Sequence, residues 1–103
     1  MSLDIEKHRA LVEQFPDNEM ARFSLGKALH DAGQWVEAKE QFAIALKKKS
    51  DWMVVQILAG KCDLALGDTT AAKAAFERGR ELAIEQEHDG PREEMDALLA
   101  ELE

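Results

Sequence analysis

Cysteine and proline are scarce in this sequence: Cys62 is the only cysteine, and there are two prolines among 103 residues. A lone cysteine excludes an internal disulfide and a zinc site built on paired cysteines. Tyrosine is absent, and no window approaches the roughly 18 apolar residues of a membrane span. Charged residues interrupt the first 15 positions, which argues against a secretory signal. With 46% hydrophobic residues, the chain is predicted to form one globular domain. The lone cysteine, and the lack of a signal or a membrane span in the sequence, predict a cytoplasmic location.

Positive charge is also in short supply, because 13 lysines and arginines face 21 acidic residues, for a net charge of -8. This sign repels phosphate backbones and anionic membranes, so neither nucleic acid nor membrane is an expected partner. Residues 85–103 contain eight acidic residues, whereas Arg92 is their one lysine or arginine. Such a segment must be solvated or meet basic groups on a neighbour, and we expect a solvated face.

Turn-forming residues divide the chain into six segments of helical composition. The divisions fall at Pro16-Asp17-Asn18, Gly33-Gln34, Ser50-Asp51, Gly67-Asp68 and Gly90-Pro91. Asp17, Asp51 and Asp68 suit N-caps, and Gly33 and Gly67 suit the left-handed position that ends a helix. No segment alternates with period two, as a half-buried strand would. The sequence therefore predicts an all-α chain.

A tandem repeat of 34 residues is present, because residues 17–50 align on 51–84 with seven identities. These pairs are Asp17/Asp51, Gly26/Gly60, Lys27/Lys61, Gly33/Gly67, Ala38/Ala72, Lys39/Lys73 and Phe42/Phe76. A glycine inside a helix costs about 1 kcal/mol relative to alanine, so Gly26 and Gly60 predict close approach of a neighbouring helix. Phe42 and Phe76 are predicted to fill the space that the small residues leave.

These residues resemble the tetratricopeptide repeat (TPR) family, whose period is 34 and whose pattern places Leu-Gly in the first helix and Ala and Phe in the second. Leu25-Gly26, Ala38 and Phe42 carry the match, whereas Asp63 stands where the family prefers an aromatic residue. The resemblance implies a right-handed helical solenoid of antiparallel helix pairs, with about six helices. It also implies a protein-interaction module or adaptor rather than an enzyme.

The predicted organisation is a single TPR-like domain over residues 1–103. Residues 3–15 form an N-terminal helix that resembles the second helix of a truncated repeat, 17–50 form repeat 1, and 51–84 form repeat 2, whose last helix runs to about 88. Residues 91–103 form a C-terminal capping helix, with Gly90 as its cap. In the first helix, Ile5, Leu11, Val12 and Phe15 form an apolar face that is predicted to bury against the next helix pair.

In this family, the first helix of each repeat lines a concave groove that takes peptides. The residues at those positions here are Met20, Phe23, Lys27, His30, Val54, Ile57, Lys61 and Leu64. Apolar side chains beside two lysines suit a partner that carries hydrophobic anchors and a carboxylate, in a side chain or at a chain terminus. The family's carboxylate clamp also uses asparagines, which are absent here, so the clamp is not carried over. The alternative is that the apolar members bury against the C-terminal helix.

A second apolar stripe lies in that C-terminal helix. It consists of Met95, Leu98, Leu99 and Leu102. The stripe either caps the last repeat or forms a dimer contact, and a self-associating assembly subunit, monomer or homodimer, is the alternative function. The acids of residues 91–103 are candidates to pair with Lys27 and Lys61.

No residue pattern points to catalysis, a metal or a cofactor. The histidines His8, His30 and His88 lie in separate segments without metal-ligand spacing. Cys62 is predicted to be a small buried residue rather than a reactive thiol. Lys47, Lys48 and Lys49 suit the end of a helix, where cations complement the carbonyl dipole.

Overall fold

The computed structural model describes residues 3–103, and the side chains from residue 4 onward. In this part of the chain the secondary structure consists of six α-helices. They are α1 (Leu3–Gln14), α2 (Glu19–Asp31), α3 (Trp35–Lys48), α4 (Met53–Ala65), α5 (Thr69–Glu85) and α6 (Asp89–Glu101). Residues 1 and 2 of the predicted domain lie outside the described residues. The all-α prediction is confirmed.

The helices form pairs that stack along the chain. Helix α2 packs on α3 and α4 on α5, while α1 contacts α2 and α6 contacts α5. The second helix of each pair also packs on the first helix of the next, through α3 and α4. The first helices of the two pairs, α2 and α4, therefore lie side by side along the solenoid.

Small residues allow the close approach of the paired helices, as the repeat predicts. A Cβ atom on Gly26 would lie 2.6 Å from Cε1 of Phe42, and one on Gly60 would lie 2.6 Å from Cε1 of Phe76. Both phenylalanines are fully buried, as are Ala38 and Ala72. The backbone of one helix thus forms the surface against which the ring of its partner packs.

Two of the three predicted aspartate N-caps are not observed. Asn18, not Asp17, accepts a hydrogen bond from the Ala21 amide, because α2 begins one residue later than the aspartate requires. Trp52 rather than Asp51 precedes α4, and no side chain caps that helix. At α5, Asp68 accepts from the Ala71 amide as expected.

Helix α6 begins at Asp89 rather than at Pro91, so Gly90 lies inside its first turn and not at its cap. Glu87, two residues before α6, takes a left-handed conformation, with φ of 59°, as Gly33 and Gly67 do at the ends of α2 and α4. This turn closes α5 earlier than the predicted end near residue 88.

Helix α1 buries only part of its predicted apolar face. Ile5 and Val12 are buried in the first core cluster, with α2, α3 and α4. Leu11 and Phe15 are instead 43% and 49% exposed. The prediction that all four bury against the next helix pair is therefore wrong for these two, since they lie on the side of α1 that turns away from that core.

Candidate peptide-binding groove

The predicted groove residues lie on α2 and α4, and the structure divides them by exposure. Met20, Val54 and Leu64 are exposed hydrophobic side chains, and Lys27 is exposed as well. Phe23, His30 and Lys61 are half-buried, whereas Ile57 is buried. Seven of the eight residues therefore offer some surface to a partner.

Phe23 forms the floor of the α2 part of the groove. Its ring centroid lies 5.1 Å from that of Trp52 and 6.4 Å from that of Phe42, in tilted arrangements. Such aromatic pairs stabilise one another beyond the area that they bury. The accessible surface of Phe23 lines a depression between α1 and α2, together with His8 and Lys27.

Both polar groove residues on α2 engage the same carboxylate. Lys27 Nζ lies 2.8 Å from Asp31 Oδ2, one turn away, and His30 Nδ1 lies 3.2 Å from Asp31 Oδ1. The hydrogen bond from Lys27 holds the pKa of Asp31 below its usual value, with a smaller effect from His30. The His30 ring also packs edge-on against Trp35, 5.1 Å away.

Ile57 differs from Phe23, its equivalent one repeat earlier. It is only 7% exposed and belongs to the second core cluster, in which it lies against Gly79 beside Met95. Ile57 is therefore a core residue rather than part of the groove surface, because its side chain packs into the second core cluster beside α5 and α6.

Lys61, the equivalent of Lys27, pairs with the C-terminal helix. Its Nζ lies 2.8 Å from Glu94 Oε2, and both side chains are half-exposed. Each groove lysine thus holds a carboxylate of the chain itself. A second acid of α6, Asp96, pairs with Arg80 of α5. We expect a solvated face along this acidic segment from the sequence. Glu94 and Asp96 instead pair with basic residues of α4 and α5.

The apolar stripe of α6 faces the chain's own core. Met95 is fully buried, and Leu98, Leu99 and Leu102 are half-buried against the second core cluster. Met95 consequently has no surface to offer a second copy.

Sequence reasoning missed a depression of about 330 Å³ at the start of α4. It is lined by Lys49, Asp51, Trp52, Met53, Val54, Gln86 and His88. The Lys49 ammonium lies 5.4 Å from the centroid of the Trp52 ring, and Gln86 donates to the Asp51 carbonyl at 2.9 Å. Val54 joins this depression to the predicted groove. The signal in the sequence is Trp52, which lies two residues before Val54.

The described residues hold no group of three His, Cys, Asp or Glu side chains arranged to bind a metal ion. Cys62 is fully buried, and burial raises the pKa of its thiol to about 11. None of the six helices is both long and apolar enough to cross a membrane.

One curated relative matches nearly the whole chain. The TPR repeat-containing protein PA0015 of Pseudomonas aeruginosa is 29% identical over 99 residues, which is 96% of this chain and 94% of that protein. No protein-family model matches the sequence. The relative confirms the resemblance that the repeat indicates.

Solved structures share the fold. PcrH of Pseudomonas aeruginosa, in complex with the chaperone binding region of PopD, has a TM-score of 0.88 at 21% identity, covering 95% of this chain and 74% of that one. SycD, a type III secretion translocator chaperone of Yersinia enterocolitica, has a TM-score of 0.89 at 16% identity, covering 95% and 68%. Protein BPP2914 of Bordetella parapertussis has a TM-score of 0.84 at 27% identity, covering 99% and 89%. The fold is a TPR-like solenoid of helix pairs.

Proposed function

We propose that this small TPR-like protein is a non-catalytic interaction module that binds a peptide or helical segment of a partner protein in its concave groove. The observation that carries the proposal is the exposure of three apolar side chains, Met20, Val54 and Leu64, beside two lysines on neighbouring helices. PcrH, which has the same fold, was solved with a segment of another protein bound. That complex supports a protein partner for this chain.

The apolar anchors set the strength of the interaction. Met20 is 55% exposed, Val54 45% and Leu64 38%, so each has roughly half of its surface left to bury. Full burial of such side chains is worth about 1.5–3 kcal/mol each, which leaves about 1 kcal/mol for each remaining half. Because association opposes binding by about 4–15 kcal/mol, these three residues alone cannot hold a partner. Contacts with Phe23 and Trp52 are therefore needed, and we expect a transient complex.

The lysines set the register of the partner more than its affinity. Lys27 and Lys61 already hold Asp31 and Glu94, so a partner carboxylate must replace one of these acids. Exposed ion pairs contribute only about 0–1 kcal/mol, and the exchange is therefore nearly neutral in free energy. A partner with carboxylates at the spacing of the two lysines is favoured over one with carboxylates elsewhere.

The test is affinity capture from a lysate of source cells, with the wild-type chain and the double variant Lys27→Glu, Lys61→Glu as baits. The matched control is Lys47→Glu, Lys48→Glu, which makes the same change of charge on the exposed last turn of α3. Circular dichroism must first show that all three chains fold alike.

We expect a partner that is captured by the wild type and the control and lost from the groove variant. Capture of the same partners by all three baits would show that the lysines do not contribute. A bait that recovers only itself would support the self-associating alternative instead.

A further inference from the structure

In the described part of the chain, no helix covers one face of α1, whereas the equivalent face of α3 is buried. A shift of 34 residues places His8 on Phe42, Leu11 on Ala45 and Asp4 on Ala38. The three α3 residues are fully buried, because α2 packs over them. Leu11 is 43% exposed, and Phe15, one turn further, is 49% exposed. Helix α1 thus presents the face that pairs with a first helix.

The neighbouring face of α2 is open in the same way. Ala21, Ser24 and Ala28 correspond, one repeat later, to Val55, Leu58 and Cys62 of α4. The α4 residues are buried in the first core cluster, beneath α2. The α2 residues are only half-buried. The two faces together border a cleft between α1 and α2. This cleft lies on α1 and α2 in the position where α2 lies on α3 and α4.

This α1–α2 cleft consists of two depressions, of about 470 and 310 Å³, which share His8 and Ser24. One end carries the Asp4 carboxylate and the ion pair of Asp31 with Lys27. The other end carries Leu11, Phe15 and Met20. The cleft therefore has a polar end, where Asp4 is the acid outside that ion pair, and an apolar end.

His8 lies at the middle of the cleft, at the place of the core phenylalanines. Its Nδ1 atom is inaccessible to solvent and has no hydrogen-bond partner among residues 3–103. Phe42 and Phe76 each pack on a glycine of the first helix of their pair. A helix that lay in the α1–α2 cleft would need a small residue opposite His8, as Gly26 lies opposite Phe42.

We propose that the α1–α2 cleft binds a single amphipathic helix of a partner protein, parallel to α2, in the position that α2 has on α3 and α4. The helix carries apolar side chains in its first half, a small residue opposite His8, and lysine or arginine in its last turn, near Asp4. Cations at that end also complement the helix dipole. A second copy of this chain is a poor occupant, since the last turn of its α6 carries Glu101 against the same carboxylate.

The test uses a synthetic peptide as the probe. The peptide has the sequence of residues 17–34, which includes Gly26, with the substitution Asp31→Lys to supply a basic last turn. It is titrated into the isotopically labelled full chain and followed by NMR, to about 1 mM so that weak binding is detected. A matched control peptide carries Gly26→Leu in addition.

We expect saturable shift changes at His8, Leu11, Phe15 and Ser24, and no binding of the Gly26→Leu peptide. The variant chain Leu11→Asp, at an exposed position, should weaken binding by about tenfold, since an apolar contact becomes a buried charge. Met20, Phe23 and Lys27 line both this cleft and the predicted groove, so the control variant lies in the α4 part of the groove. Lys61→Glu should leave binding of the peptide unchanged, which separates failure of this proposal from failure of the proposed function.

Three results would overturn the proposal: no shifts at the highest peptide concentration, equal binding of both peptides, or equal binding by the Leu11→Asp chain. Shifts spread through the α3 core would mean that the peptide replaces α2 itself, and would also contradict it. Shifts at the cleft on concentrating the chain without peptide would identify a second copy as the occupant instead.

Discussion

Lys61 Nζ lies 2.8 Å from Glu94 Oε2, so the C-terminal helix supplies a carboxylate to a lysine of the concave groove. The equivalent lysine of the first repeat, Lys27, takes its carboxylate from Asp31 on its own helix. The two groove lysines are thus equivalent in sequence but are neutralised by different parts of the chain. Removing Glu94 therefore changes one end of the groove and leaves the other unchanged.

The substitution Glu94→Gln should free Lys61 for a partner carboxylate. We expect affinity for a captured acidic partner to rise about two- to fivefold, because an exposed pair contributes about 1 kcal/mol at most. Calorimetric titration checks this, with Glu93→Gln, an exposed neighbour, as the matched control. Equal affinities for all three chains would mean that Lys61 does not contact the partner.

The substitution Gly26→Ala tests the close contact between α2 and α3. The added methyl group would lie 2.6 Å from the Phe42 ring, so overpacking should lower the free energy of unfolding by about 1–3 kcal/mol. Gly90→Ala is the control, because a Cβ atom there meets nothing within 4 Å and alanine favours the helix by up to about 1 kcal/mol. Urea denaturation measures both, and a stabilised Gly26→Ala chain would refute the packing argument.

The substitution Glu87→Gly should stabilise the chain. Glu87 has φ of 59°, and its amide donates to the Ile84 carbonyl in the turn that ends α5. A left-handed conformation costs a residue with a Cβ atom about 1–2 kcal/mol, and the greater freedom of unfolded glycine offsets part of that gain. We expect a net increase of about 0.5–1 kcal/mol in the free energy of unfolding.

The matched reverse change is Gly67→Ala, in the equivalent turn between α4 and α5. Gly67 has φ of 82° and open space around it, so only backbone strain opposes the methyl group. In thermal unfolding, the midpoint temperature should rise for Glu87→Gly and fall for Gly67→Ala. Shifts of the same sign would contradict the assignment of strain to Glu87.

The ion pair of Lys39 with the buried Asp63 carboxylate is predicted to stabilise the fold. Lys39 Nζ forms an ion pair with Asp63 Oδ1 at 2.5 Å, and this contact raises the pKa of Lys39. Lys39→Met leaves Asp63 unpaired at 4% exposure and should lower stability by about 2–4 kcal/mol. The double variant Lys39→Met, Asp63→Leu should recover most of this loss, and a double variant as unstable as the single one would contradict the account.

Stability should fall in acid partly through Glu37. Arg9 hydrogen-bonds Glu37 and holds its pKa below the ordinary value of 4.5. A carboxyl whose pKa is lowered by folding stabilises the protein above its unfolded pKa, and this contribution disappears as the pH falls below that value. Glu37→Gln should therefore lower stability at pH 7 and flatten its decline below about pH 4.5. Glu40→Gln, which removes a charge at an exposed neighbouring position, is the matched control, and equal pH profiles for the two variants would contradict the account.

The repeat predicted the packing of the helix pairs, because the same small and large residues recur at the same interface. Gly26 with Phe42 and Gly60 with Phe76 make the contacts that their spacing indicates. Periodicity also predicted that Phe23 and Ile57 would be equivalent, but their surroundings differ. Ile57 lies beside Gly79 and Met95 under α6, whereas Phe23 lies beside Trp52.

The remaining differences arise where the sequence carries no local signal. Glu87 occupies a left-handed position where the other helix ends have glycine, so that turn could not be located from residue type. Leu11 and Phe15 lie at helical spacing, as the buried Ile5 and Val12 do, and apolar spacing alone cannot tell which side of α1 is covered. The position of a helix relative to its neighbours decides both.

The central claim is that a partner segment lies in the concave groove of α2 and α4, and the most direct test is an NMR titration of the labelled chain with the captured partner's segment. The account predicts shift changes concentrated at Lys27, Val54, Lys61 and Leu64, and their loss in the Lys27→Glu, Lys61→Glu chain. Shift changes confined to the outer faces of α3 and α5, or unchanged in that variant, would contradict it.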